Sequence, residues 1–171
     1  LPDKAIVDEG TSINYLKLDN HIPVSAPDIN LTNQLSDHLK ACGNDLKKTT
    51  IWTTDAIYRE TPQKVAYFRN LGAHAVEMEC SALFSVARYR NVSITGILVV
   101  SDSVASKDWD PGFRNKKFKQ ARRTACEHVM TFAKKNCLKM NDAIKKEAQR
   151  LQKELTEHSH RYHVMDDPLI S

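Results

Sequence analysis

The sequence predicts an α/β protein with a central sheet, because strand-like and helix-like patterns alternate along it. Thr49–Thr54 is rich in β-branched residues and has the pattern of a strand. Val92–Val100 is an almost continuous apolar and β-branched run, which is typical of a strand buried on both faces. Between them, apolar residues recur at helical spacing on both sides of a further short strand. The order strand, helix, strand, helix, strand is that of an α/β sheet protein.

Turn-forming and helix-ending residues set the limits of the individual elements. Leu31, Leu35 and Leu39 recur at helical spacing, and Gly43 follows them as a helix-ending residue. The predicted elements are, in order, short strands within residues 3–24, a helix ending at Gly43, the strand Thr49–Thr54, a helix from Pro62 to Gly72, the strand Ala75–Met78, a helix over Ser81–Tyr89, the strand Val92–Val100, a helix from about Phe113 to Lys135, and a last helix from Asn141 onward.

The helical pattern restarts after Met140, and we place a domain boundary there. Nothing before this residue needs the later segment to complete an α/β unit. We therefore predict one domain over residues 1–139 and an α-helical tail over residues 140–171. A single apolar stripe runs along the tail between charged residues; it consists of Ile144, Ala148, Leu151 and Leu155.

Composition is that of an ordinary globular protein. The 171 residues carry a mild formal net charge of +4. One basic cluster is interpreted as a solvated helix face, with nucleic-acid binding as the alternative; it consists of Arg114, Lys116, Lys117, Lys119, Arg122 and Arg123. No stretch is apolar enough to cross a bilayer and no signal peptide is visible, so we expect a cytoplasmic protein. The cysteines lack metal-finger spacing, and we expect neither a metal nor a cofactor; the alternative is a metal site formed by His158, His160 and His163, whose spacing is loose.

Polar groups follow three of the predicted strands at the point where each strand ends. These groups are Thr53-Thr54-Asp55, Glu77-Met78-Glu79 and Ser101-Asp102. In an open α/β sheet, ligands bind beyond the carboxyl ends of the strands, so we expect these residues to form a small-molecule pocket. Taken alone, Glu77 or Glu79 has an alternative interpretation as an ordinary cap of the helix that follows.

Two motifs within Ile51–Asp102 resemble those of the nucleoside phosphorylase family, which includes purine nucleoside and uridine phosphorylases. The motifs are Trp-Thr-Thr-Asp-Ala-x-Tyr-Arg-Glu-Thr, beginning at Trp52, and Val-Glu-Met-Glu-x-Ser-Ala-Leu, beginning at Val76. The resemblance extends over roughly residues 1–139. It implies part of a three-layer α/β domain with a mixed sheet, and assembly into homo-oligomers.

The resemblance also implies roles for individual residues at the first motif and at the Glu-Met-Glu run. Glu79 would accept hydrogen bonds from the ribose 2′- and 3′-hydroxyls, which suits a carboxylate because both hydroxyls donate with charge assistance. Met78 would pack against the sugar as an adaptable apolar surface, and Glu77 would lie at the same site. Ile57 and Tyr58 match the region that encloses the base.

Asp102 matches the general acid that protonates N7 of a purine as the glycosidic bond breaks, with Ser101 beside it in the site. A purine anion is a poor leaving group until a proton donor meets its developing charge. Arg114 lies at about the spacing of an arginine that pairs with this aspartate, and its alternative is membership of the basic helix face. The implied substrates are a purine nucleoside and phosphate as co-substrate, with free base and ribose 1-phosphate as products.

The segment Asp8-Glu9-Gly10-Thr11-Ser12 resembles a stretch that lies mid-chain in the family, after the phosphate site. No Gly-rich phosphate loop occurs in this sequence. We therefore expect a C-terminal part of such an enzyme, with little or no phosphorolysis of its own. The alternative is a catalytically inactive remnant of a gene fusion that binds nucleoside or associates with itself.

Residues 140–171 resemble the extreme N-terminus of bacterial NAD-dependent DNA ligases. The resemblance is carried by Leu151 and Leu155 and by the run from Tyr162 to Ser171. It implies contact of Tyr162 and His163 with the nicotinamide mononucleotide half of NAD, but the adenylation domain and its lysine are missing, so ligase activity is excluded. An interaction module built on this helix is a further alternative, and a plain amphipathic packing helix is favoured over NAD contact.

Overall fold

The computed structural model describes residues 1–17, 21–44, 46–104, 112, 115–137 and 142–160. The chain divides into two compact units, Leu1–Met130 and Thr131–Ser171. Among the described residues, no helix is both long and apolar enough to cross a membrane.

A mixed four-stranded sheet forms the centre of the first unit. Its strands are β1 (Pro2–Asp8), β2 (Val24–Ser25), β3 (Thr49–Thr54) and β4 (Ala75–Glu77), in the spatial order β2-β1-β3-β4. β1, β3 and β4 run parallel, whereas β2 pairs antiparallel with β1. The predicted α/β class and mixed sheet are therefore confirmed.

Helices cover both faces of this sheet. The helices of the first unit are α1 (Ile29–Ala41), α2 (Pro62–Asn70), α3 (Cys80–Tyr89) and the part of the long α4 (Lys116–Cys137) that ends at Met130. Neighbouring residues of β1 face opposite ways, since side chains alternate along a strand. Ala5 packs with Phe84 of α3, while Ile6 packs with Phe68 of α2. The three layers expected from the resemblance are present.

Local sequence signals account for the ends of the first two helices. The Asp28 carboxylate accepts a hydrogen bond from the Leu31 N–H at the start of α1, and Thr61 accepts one from Lys64 at the start of α2. Gly43 and Gly72, which follow these helices, have φ angles of +83° and +90°. This left-handed conformation is the usual helix-ending geometry of glycine, as the sequence predicted.

The predicted strand over Val92–Val100 is not formed. The segment belongs to no sheet ladder, and Val92 and Val100 are 62% and 74% exposed. It contacts the start of α1 instead, where the Asp28 N–H donates to the Ile94 carbonyl at 2.8 Å and the Thr32 and Thr95 hydroxyls lie 2.8 Å apart. An apolar, β-branched run favours extended backbone, but a strand buried on both faces also needs neighbouring strands to pair with.

The two remaining helices were both predicted. The first, α4, begins later than predicted, and the second, α5, begins close to its predicted start. α4 begins at Lys116, where the Asn115 side chain accepts a hydrogen bond from the Lys117 N–H at 2.9 Å; Phe113 lies outside the described residues. α5 spans Asp142–His160. Arg150 of α5 pairs with Glu147 at 2.7 Å and with Glu154, whereas Leu151 and Leu155 are exposed.

Candidate active site

The carboxyl ends of the three parallel strands meet at one edge of the sheet. Asp8 of β1 is in register with Thr54 of β3, and Thr53 is in register with Glu77 of β4. The loops after these strands therefore emerge side by side, which is where ligands bind in open α/β sheets. The predicted convergence is present for the first two of the three polar groups.

The carboxylate of Glu77 is bound within the protein. It accepts hydrogen bonds from the backbone N–H groups of Glu79 and Cys80, at 2.9 and 2.7 Å, and from the Thr53 hydroxyl. The Thr53 oxygen in turn accepts the Ser81 N–H at 3.1 Å. Glu77 thus satisfies free N–H groups at the start of α3 and links that helix to β3, which is the capping interpretation of this residue.

Replacing Glu77 by Gln should lower the free energy of unfolding by about 1–3 kcal/mol. An amide has only one accepting oxygen, so at least one of the three donors now bound by Glu77 would lose its partner. Urea unfolding of the full chain measures the change. Glu79→Gln is the matched control and should unfold at the wild-type midpoint; equal midpoints for all three proteins would contradict the assigned role of Glu77.

Glu79 is left exposed by the same arrangement. It occupies the N-cap position of α3, with φ −126° and ψ −34°, yet its side chain makes no capping hydrogen bond. The preceding Met78 is 39% exposed and lies beside it in the turn. A carboxylate at a helix N-terminus whose N–H groups are already capped is available to accept hydrogen bonds from a ligand.

The loop after β1 is held against α3 by Glu9. Its carboxylate accepts hydrogen bonds from the Ser81 hydroxyl at 2.8 Å, from the Ser12 hydroxyl, and from the backbone N–H groups of Thr11 and Ser12. Burial acts to raise the pKa of Glu9, but these hydrogen bonds outweigh it and lower the pKa below the usual value. Glu9 therefore fixes the loop at the strand ends in its charged form.

Buried hydroxyls continue this connection into the core. Ser85 of α3 lies within hydrogen-bond distance of both Ser12 and Ser25, at 2.9 and 3.0 Å between oxygens. Ser12 and Ser85 are fully buried. Because buried polar groups are stable only when their hydrogen bonds are made, this chain of hydroxyls fixes the distance between the β1 loop and α3.

Asp102 lies in an open cleft of about 350 Å³. The Ser101 hydroxyl donates to Oδ1 of Asp102 at 2.5 Å. A side chain at Gly112 would place its Cβ 2.4 Å from the Ser101 carbonyl oxygen, so only glycine fits against this wall. The cleft is lined by Val100, Ser101, Asp102 and Ser103 of one segment and, around the start of α4, by Gly112, Asn115, Lys117, Phe118 and Ala121.

A short 3₁₀ turn over Ile57–Arg59 is followed by Glu60, which senses the charge of Asp102. Burial is the main cause that raises the pKa of Glu60, directly after this turn, and the negative charge of Asp102 raises it further. Such an influence requires the two carboxyl groups to be near each other. Ile57 and Tyr58 are 54% and 97% exposed, and neither lines the cleft.

Replacing Glu60 by Gln should stabilise the chain at pH 7 but not at about pH 4. With a folded-state pKa above the ordinary 4.5, the folded protein holds this proton more tightly than the unfolded chain. Stability therefore falls as the pH rises from 4.5 through the folded-state pKa, and Gln removes that loss. Thermal melting at both pH values measures it, with exposed Glu157→Gln as control; a lower melting temperature at pH 7 would contradict the prediction.

The predicted site residues thus fall into groups that the described structure does not join into one pocket. Met78 and Glu79 lie at the parallel strand ends, and Ser101 and Asp102 line the cleft. Arg114 lies outside the described residues.

A sequence model of the family described as Phosphorylase superfamily matches residues 1–134. This chain belongs to the phosphorylase superfamily. The match includes the whole sheet and ends before the predicted tail, so the resemblance of residues 140–171 to NAD-dependent ligases stays a prediction.

Curated relatives match this phosphorylase-superfamily chain over little more than half of its length. An uncharacterized protein of Acanthamoeba polyphaga mimivirus is 31% identical over 100 residues, which are 58% of this chain and 36% of that protein. DeoD-type purine nucleoside phosphorylases of Yersinia enterocolitica and Thermoanaerobacter sp. are 26% and 29% identical over 96 residues. These matches cover 56% of this chain and 40% and 41% of the two enzymes. The chain spans about two fifths of the length of these relatives.

Among solved structures, AMP nucleosidase from Bacteroides thetaiotaomicron is similar in fold. Its TM-score is 0.56 at 24% sequence identity, and the match covers 76% of this chain and 53% of that one. This likeness supports the fold alone.

Two features of this candidate site were not predicted from the sequence. Glu60 stood within a quoted motif but received no role, because nothing in the sequence indicates its proximity to Asp102. Lys117 and Asn115 line the Asp102 cleft, whereas Lys117 was interpreted only as part of a solvated basic face. The Pro111-Gly112 pair before α4 was the available signal, since a glycine often marks a close backbone approach.

Proposed function

We propose that this chain recognises the ribose and base of a purine nucleoside and belongs to an enzyme that cleaves the N-glycosidic bond with phosphate. The proposal rests on the different hydrogen bonding of two nearby glutamates. Glu77 caps α3, and the Glu79 carboxylate stays exposed at the strand ends of a phosphorylase-superfamily fold. In this proposal Glu79 accepts hydrogen bonds from the ribose 2′- and 3′-hydroxyls, and Met78 packs against the sugar.

Asp102 is the proposed general acid. The cleft around it, about 350 Å³, is within the size range of small-molecule pockets. A carboxyl group in contact with N7 would neutralise the charge that develops on the base as the bond breaks. Glu60 holds its proton to higher pH than an ordinary glutamate, because burial and, to a lesser degree, the charge of Asp102 raise its pKa.

Phosphate is the proposed nucleophile, and its binding residues are not recognised in this sequence. The chain covers only 40% and 41% of two purine nucleoside phosphorylases that it resembles. Since positioning of the reactants contributes much of the rate in such reactions, we expect slow turnover or none from this polypeptide alone. A partner chain that supplies a phosphate site would raise the rate, in keeping with the homo-oligomers of the family, and we propose a cytoplasmic location for the assembly.

A second candidate is a nucleoside-binding or self-associating protein without turnover. The exposure of the apolar run Val92–Val100, in which Leu98 and Val100 are 37% and 74% exposed, favours association with another surface.

We propose that the first domain ends at residue 139 and that the tail is a separate helical element. An interaction module on α5 rests on the exposure of Leu151 and Leu155.

The test is incubation of the full chain with inosine, adenosine or uridine, with and without phosphate, followed by measurement of melting temperature and released base. We expect the purine nucleosides to raise the melting temperature more than uridine, and any base release to depend on phosphate. Binding without release would favour the second candidate. A melting temperature that no nucleoside changes would contradict the proposed site.

A further inference from the structure

Three metal-ligating side chains meet at the end of α1, away from the strand ends. They are His38 and Cys42, at the last turn of α1, and His128 of α4. Their ligand atoms all lie within 4.8 Å of one another, and Nε2 of His38 is 3.9 Å from Sγ of Cys42. Cys42 is exposed and both histidines are half-buried, so solvent reaches the cluster.

The fold creates this cluster from residues that are distant in sequence. His38 and Cys42 stand four positions apart, which places them on one side of a helix. The Cys42 N–H still donates to the His38 carbonyl at 3.1 Å, and Gly43 then turns the chain with φ +83°. No metal was expected from the sequence, because its cysteines lack metal-finger spacing.

The imidazole of His128 presents an acceptor nitrogen in this region. Nδ2 of Asn44 lies 3.2 Å from Nε2 of His128. An amide N–H₂ group only donates, so Nε2 of His128 is the acceptor, and a metal ion that bound this nitrogen would displace the Asn44 amide. The Asn44 amide also contacts the Cys42 carbonyl at 3.2 Å, which holds the turn after α1 against α4.

We propose that His38, Cys42 and His128 bind one Zn²⁺ ion, with water as the fourth ligand. Two imidazoles and one thiolate are a donor set that suits this borderline-soft ion. Zinc bond lengths of about 2.0–2.3 Å correspond to ligand separations of roughly 3.3–3.6 Å in a tetrahedron. The observed 3.9 Å between His38 and Cys42 is close to that value, and partly exposed side chains adjust by the remaining amount. Binding transfers the Cys42 thiol proton to solvent and forms the zinc–thiolate bond.

A zinc ion here would cross-link α1 to α4. The start of α4 lines the Asp102 cleft through Asn115, Lys117 and Phe118, so the same helix carries the metal site and a wall of the cleft. The expected consequence is a higher melting temperature in the presence of Zn²⁺, since an ion that binds only the folded chain stabilises it. The zinc site does not depend on the proposed nucleoside chemistry.

The test uses the full chain with Co²⁺ as a spectroscopic substitute for Zn²⁺, followed by displacement with Zn²⁺. We expect one equivalent of Co²⁺ to give tetrahedral visible bands and a thiolate-to-cobalt charge-transfer band, and Zn²⁺ to abolish both. Cys42→Ser should remove the charge-transfer band, and His128→Gln should weaken binding by at least about tenfold. Far-UV circular dichroism of each variant verifies that it is folded.

Two control variants distinguish this site from other metal-binding groups. Cys126→Ser removes a second exposed cysteine, which lies on α4. This change should leave the charge-transfer band intact. The triple variant His158→Gln, His160→Gln, His163→Gln removes the histidines of the tail and should leave the affinity unchanged. A charge-transfer band that persists in Cys42→Ser, binding that depends on the tail histidines, or no saturable binding to the wild-type chain would overturn the proposal.

Discussion

Replacing Glu79 by Gln is expected to weaken the binding of a purine nucleoside by about 10- to 150-fold, the equivalent of 1.5–3 kcal/mol for hydrogen bonds to a charged group. The exposed carboxylate of Glu79 is the proposed acceptor for two ribose hydroxyls, and an amide offers one accepting oxygen without charge. Calorimetric titration of inosine into the full chain measures the loss.

Asp37→Asn is the matched control for the Glu79 variant. It also removes one negative charge, but from the exposed face of α1, and should bind inosine as the wild type does. Equal affinities for the wild-type and Glu79→Gln chains would show that the ribose hydroxyls bind elsewhere.

Replacing Asp102 by Asn is expected to slow base release by about 10²- to 10⁴-fold. Asparagine keeps the size of the side chain and an oxygen that accepts the Ser101 hydroxyl, but it has no acidic proton to give to the base. The affinity for inosine should change little, because the proton transfer matters only as the bond breaks. Release is measured with concentrated protein and limiting nucleoside, so that slow turnover is resolved.

Asp37→Asn again serves as the control, since it changes the net charge by the same amount. An unchanged rate in Asp102→Asn would exclude Asp102 as the general acid. An equal loss of rate and of affinity would assign it a role in binding the ground state.

Most helices and the strand ends could be predicted because local signals determine them. Thr61 and Pro62 at the start of α2 and Gly72 after its end are such signals, and the structure uses each of them. Val92–Val100 shows the limit of this reasoning. Its composition indicates a preference for extended backbone, but pairing depends on neighbouring strands that composition does not reveal, and the segment packs on α1 instead.

The candidate site could be predicted only in part for a similar reason. The sequence placed Glu77 and Glu79 at one strand end and gave helix capping as the alternative for either. Which of them caps α3 is decided by the turn between β4 and α3, which brings the Glu77 carboxylate back onto the N–H groups of Glu79 and Cys80. The approach of Glu60 to Asp102, and of His38 to His128, depends on tertiary packing that no local pattern specifies.

One set of titrations shows whether the Glu79 carboxylate holds the ribose hydroxyls while Glu77 holds the helix. Inosine and 2′,3′-dideoxyinosine are each titrated into the wild-type and Glu79→Gln chains, and the four affinities form a double-mutant cycle. We predict that the wild type prefers inosine and that Glu79→Gln binds both ligands with nearly equal affinity. A preference for inosine that survives unchanged in Glu79→Gln would contradict the claim.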